Sequence, residues 1–147
     1  MKILFAGAAF AAMVLTANAQ DLVQRDSAFS VPETADRLVA AAEGAGATVF
    51  ARIDHAKGAR SIDAELDDMQ VVIFGNPAIG TPIIAAAPTA GLDLPLRVLI
   101  YDDGGQTRIA YEDPRTLRDR RNVDGADEAF GAMTKALERL TTRAATE

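Results

Sequence analysis

Cysteine and tryptophan are absent from this chain, and histidine occurs once, at His55. Without thiols it can form no disulfide, build no thiolate metal site and run no cysteine catalysis. A single imidazole restricts metal binding further, because zinc and copper sites draw on three or four donors. Aromatic residues make up only 5% of the sequence, so burial must rest on aliphatic side chains and alanine. Cations are also in the minority. Fifteen Lys and Arg face 21 Asp and Glu, for a net charge of −6. That balance argues against nucleic acid or an anionic membrane surface as a partner, since both reward clustered positive charge. Catalytic signatures are missing too. Ser27, Ser30 and Ser61 lack a G-x-S-x-G setting, and Gly75-Asn76-Pro77-Ala78-Ile79-Gly80 places Pro where a phosphate cradle needs N–H groups.

The amino terminus carries an export signal. Lys2 supplies a positive start, Ile3 to Val14 an apolar run, and Ala17-Asn18-Ala19 a small-residue cleavage site. The apolar part is shorter than the ~20 residues that span a bilayer, and no Cys follows for lipid attachment. Residues 1–19 are therefore expected to be a signal peptide cleaved after Ala19, giving a periplasmic or secreted protein with no membrane anchor. Residues 20–147 suffice for a single domain. Loss of Lys2 takes the net charge from −6 to −7.

Within that domain the pattern alternates clearly between strands and helices. Residues 22–29 read as a strand. Ser30 and Glu33 form a capping box for a helix whose stripe is Thr34, Leu38, Ala41, Ala42 and Ala45, ended by Gly44 and Gly46. Thr48–His55 alternates as a strand with Val49, Ala51, Ile53 and His55 on the helix side and Phe50, Arg52 and Asp54 on the other. A short helix or turn can occupy Ala56–Ala64, and Met69–Gly75 is a continuously apolar strand. Asn76-Pro77 and Thr81-Pro82 are two successive helix-start devices, the second opening a short helix over Ile83–Ala87. Leu96–Asp102 and Thr107–Tyr111 flank Asp103-Gly104-Gly105, a hairpin signal. Pro114 opens a helical piece to about Arg121, whose basic run reads as a solvated face. Asp124 is placed to cap a last helix with the stripe Ala126, Ala129, Phe130, Met133, Leu137 and Leu140, followed by a polar tail from Thr141. Short connections imply an α+β fold with a mainly antiparallel sheet and helices on one face.

Several segments, in order, resemble the DUF302 family of domains of unknown function. They are Ala51-Arg52-Ile53-Asp54-His55-Ala56, Ile73-Phe74-Gly75-Asn76-Pro77 with Gly80-Thr81-Pro82, Leu92-Asp93-Leu94-Pro95-Leu96, and Asp102 with Tyr111 and Pro114. The similarity covers roughly residues 25–121. It implies a two-layer β-α-β(4)-α arrangement, TBP-like and TT1751-like, and no general activity. The family often has Trp at Tyr101, Pro at Asp68 and Arg-His at Arg120-Arg121. Loss of that second His weakens any two-histidine metal site.

Candidate ligand-binding residues fall in two groups. In an up-and-down meander His55 and Asp102 lie at the same end of the sheet, roughly 9–10 Å apart across two strand spacings. They could serve as a polar anchor and proton carrier, or simply as rim residues bonded to loops. Asn76 and Thr81 sit at the opposite end, where exposed N–H groups could hold an anion or merely be capped. The sheet face away from the helices is expected to carry Phe50, Val72, Phe74, Leu99 and Tyr101, an apolar patch suited to homodimer formation. These features describe a non-enzymatic, dimerising module that binds a small molecule or a protein. No cofactor, catalytic residue or metal-ligand set is assigned. The alternatives are a hydrolase- or isomerase-like enzyme using His55 with Asp102, and copper or zinc binding through His55.

Overall fold

Met69–Gly75 is the strand on which the sheet is built, and its side chains alternate strictly between buried and half-buried. The computed structural model describes residues 22–147; the expected leader, residues 1–19, lies outside them. Along the chain come β1 (Leu22–Asp26), α1 (Val31–Gly44), β2 (Thr48–Asp54), α2 (His55–Arg60), β3 (Met69–Gly75), α3 (Pro77–Ala86), a 3-10 turn (Pro88–Leu92), β4 (Leu96–Asp103), β5 (Gln106–Glu112), α4 (Pro114–Arg121) and α5 (Asp127–Ala145). The strands form one sheet in the order β1-β5-β4-β3-β2, every neighbouring pair antiparallel. The expected meander is therefore present, with β1 returning beside β5. The α+β assignment holds.

Helices α1 and α5 close one face of the sheet. Leu38 and Ala42 of α1 and Met133 and Leu137 of α5 are buried with Val72, Phe74, Val98, Ile100 and Ile109 in a single core. Ser30 caps α1 by accepting from the Glu33 N–H, half of the reciprocal pair that the sequence suggests. Helix α5 begins at Asp127 behind a left-handed Ala126, so Asp124 is not its cap. It also continues through Thr141, which is fully buried and donates its hydroxyl to the Leu137 carbonyl at 2.7 Å. The segment expected to be a polar tail is the last turn and a half of a core helix.

Two facing assignments are corrected. Val72 is 0% and Phe74 2% exposed, so both point under the helices and neither belongs to the patch on the opposite face. An uninterrupted apolar strand gives no alternation from which to read direction. The reversal in β2 has a separate cause. Its register against β3 shifts between Val49 and Ala51, and such a bulge turns all later side chains over. Val49 opposes Phe74 and looks inward; after the bulge it is Arg52 that opposes Val72 and Asp54 that opposes Gln70. Arg52 consequently reaches α1, donating to the Asp36 carboxylate and to the Pro32 carbonyl, and bonds Gln70 Oε1 at 2.6 Å. Ile53 is left on the open face, 42% exposed, opposite Val71, which in turn opposes Leu99.

Helix α3 also differs from expectation. It runs unbroken through Pro82, where two short pieces were anticipated. Asn76 alone supplies its start, Oδ1 accepting from the Ala78 N–H at 2.9 Å. Proline inside a helix forfeits one backbone bond, and here the buried Ile83 that follows it offsets that loss by packing.

Because Phe74 is core, Phe74→Ala should cost roughly 3–5 kcal/mol of unfolding free energy. Denaturant titration of the two proteins measures it; an unchanged midpoint would contradict the inward facing.

Candidate binding groove

Where β3 ends, the chain turns into α3, which packs chiefly on α5 and sends Ile83 into the core. A half-open cavity of about 300 Å³ remains between α3, α5, the ends of the strands and the segment Leu94–Leu96. Phe74 and Leu96 come from the sheet, Ile79 and Ile84 from α3, Met133, Ala136 and Leu140 from α5. Phe50, displaced outward at the bulge and 58% exposed, stands at its edge. Gly75 lies at the same edge, where a Cβ would be in ordinary contact with Pro95 Cβ at 3.4 Å and Phe50 Cε2 at 3.8 Å.

Asn76, Thr81 and Arg139 are the polar side chains of the lining. The Asn76 amide caps α3 with its oxygen, and its nitrogen makes one long contact, 3.5 Å, to the Gly46 carbonyl. Thr81 and Arg139 are exposed, and Arg139 forms no ion pair among the described residues. Two candidate residues, Asn76 and Thr81, are thus brought together, although Thr81 lies within α3 and starts no helix of its own. The contributions of α5 and of Leu94–Leu96 were not foreseen. The stripe of α5 reads as pure core, and only the succession of small Ala136 and charged Arg139 beside Leu140 hints that part of it borders a cavity.

His55 and Asp102 occupy the other end of the sheet. Asp54 pairs with Gln70 and Asp102 N–H bonds the Asp68 carbonyl at 2.8 Å, which places both residues beside the start of β3. They share a rim, and among the described residues no hydrogen bond or ion pair joins them. His55 is the exposed first residue of α2, and the Asp102 carboxylate accepts from the Gly105 N–H at 2.7 Å, closing the β4–β5 turn. Among the described residues no group of three or more His, Asp or Glu side chains is arranged to hold a metal ion.

Behind the groove lies an ionic clamp that the sequence does not announce. Asp93, its side chain only 9% exposed, receives Arg120 at 2.7 Å and Arg121 at 2.6 Å. Arg120 also binds Glu112 at 2.5 Å. The supposed solvated face of α4 is therefore tied to the chain leading into Leu94–Leu96. The hydrogen bond from Arg121 holds the Asp93 carboxyl below its usual 3.8, burial opposes this, and the charge of Arg120 reinforces it. Asp113, which caps α4, is lowered likewise by its hydrogen bond with Arg115. A second cavity of about 90 Å³ adjoins the clamp and shares Leu96 and Met133 with the main groove.

Comparison with known proteins gives one family. The family model described as "Domain of unknown function DUF302" matches residues 23–140. "Fluoride-specific ion channel FluC 1" of Brucella suis biovar 1 is 38% identical over 126 residues, covering 84% of this chain and 50% of that protein. "Fluoride-specific ion channel FluC 2" of Brucella melitensis biotype 1 is also 38% identical, over 84% of this chain and 47% of its own length. The chain thus spans about half the length of the curated relatives it matches. Among solved structures, an uncharacterized conserved DUF302 protein from Bacillus stearothermophilus has the same fold, with a TM-score of 0.78 at 20% identity over 86% of this chain and 99% of that one.

The clamp makes stability depend on acid. A carboxyl depressed in the folded state contributes stability above its unfolded pKa and loses it as pH falls through the folded value. Unfolding free energy should therefore decline from about pH 3.8 downward, and Asp93→Asn should flatten that decline while costing about 1–2 kcal/mol at neutral pH. Denaturant midpoints measured across pH decide it; identical pH profiles would refute the clamp.

Proposed function

The chain belongs to the DUF302 family, and we propose that this member is an exported, non-enzymatic module that binds a small apolar molecule in the groove between α3 and α5. The observation that carries the reading is the groove itself: about 300 Å³, lined by hydrocarbon apart from Asn76, Thr81 and Arg139. A preformed apolar cleft with few polar groups is the usual form of a small-molecule site. Export rests on the leader pattern of residues 1–19. The rival enzyme has less to support it, since His55 is exposed on α2 and the Asp102 carboxylate closes a turn. Fluoride-specific conduction is the named property of the Brucella relatives. Among the described residues no helix is long and apolar enough to cross a membrane, and the role proposed for this half of those proteins is ligand recognition.

A second reading concerns assembly. After the bulge, Ile53, Val71 and Leu99 lie in one row on the helix-free face, and that row favours pairing with a second copy. Phe50 and Tyr101 flank it; Val72 and Phe74 take no part.

Two measurements test these readings. Nile red, a neutral apolar dye, should bind the folded protein. Ala136→Trp, which fills the groove from α5, should weaken it at least about tenfold with the melting temperature unchanged; undiminished binding would end the groove reading. In sedimentation velocity at tens of micromolar the wild type should run as a dimer and Leu99→Asp as a monomer. A monomeric wild type would dispose of the pairing.

A further inference from the structure

Building on the groove reading, we propose that the ligand class is an amphiphile with a carboxylate head and a short to medium aliphatic tail, its head held by Arg139 and its tail lying against Ile79, Leu94 and Met133. The charge pattern of α5 points this way. Lys135, Arg139 and Arg143 recur every fourth residue and so share one side of that helix. All three are exposed, and none forms an ion pair among the described residues. In a chain of net charge −6, a cationic row whose middle member, Arg139, lines an apolar mouth is complementary to an anionic group on an apolar body.

The polar inventory narrows the head group. The Asn76 oxygen is spent on its own helix cap, leaving an Asn76 amide N–H, the Thr81 hydroxyl and the Arg139 guanidinium to meet a ligand. One planar guanidinium matches a carboxylate in a two-pronged fashion; Lys135 and Arg143 add long-range attraction only. The volume narrows the tail. About 300 Å³ is at the lower end of ligand cavities, which suits a chain of modest length and excludes a two-tailed lipid. Met133, unbranched and adaptable, can follow a flexible tail, and the shared wall of Leu96 and Met133 leaves the smaller cavity of about 90 Å³ as overflow.

The test displaces Nile red from the full chain with octanoate, octanol and octylamine. Octanoate should compete best. Arg139→Gln should weaken octanoate about tenfold without altering octanol, Arg139→Lys should restore part of the loss, and Ala136→Trp should weaken both. An unchanged octanoate-to-octanol ratio in Arg139→Gln would overturn the carboxylate assignment while the groove reading stands. Dye that binds but is displaced by none of the three would overturn the amphiphile class. Dye that fails to bind at all would remove the groove reading itself.

Discussion

The facing of β3 is the constraint on which the rest of the molecule depends. Gln70, Val72 and Phe74 lie beneath the helices, opposed on β2 by Asp54, Arg52 and Val49, the first two turned inward by the bulge. If β3 were rotated by one residue, Met69, Val71 and Ile73 would enter the core and every cross-strand partner would invert with them. Burial of Val72 and Phe74 against α1 and α5 opposes that slip. Arg52 secures the edge, because its guanidinium bonds α1 and β3 together. The same facing makes Phe74 the floor of the groove, so core formation and site formation are one event.

Much of this architecture is written plainly in the residues. Ser30, Asn76-Pro77 and Pro114 mark helix starts, the Asp103-Gly104-Gly105 turn marks a hairpin, and the order of elements follows. Direction was harder. Leu96–Asp103 alternates, and Val98 and Ile100 are buried as that alternation implies. Met69–Gly75 is apolar throughout and hides its facing, while the bulge at Val49/Ala51 leaves no Gly or Pro to betray it. Thr81-Pro82 is a misleading second start, since tertiary packing of Ile83 outweighs one lost backbone bond.

The candidate site was legible in half. Asn76 and Thr81 border the groove, although their helix-start pattern suggests exposed N–H groups and the structure offers an apolar cleft instead. Arg139, Met133 and Ala136 were invisible because a helix stripe does not say where its neighbour stops covering it. Asp93 with Arg120 and Arg121 escaped notice for a related reason. A run of arginines reads as solvated until a buried carboxylate, 27 and 28 residues earlier in the chain, is found beneath it. Long-range pairing of this kind carries no local signature.

The two ends of the sheet make competing claims, and one measurement separates them. Isotope-filtered NMR of the protein with octanoate should show contacts from the ligand's methyl and methylene protons to Phe74, Ile79 and Met133, with none to His55 or Asp102. Contacts confined to the His55 rim, or to Ile53 and Leu99 on the open face, would contradict the account.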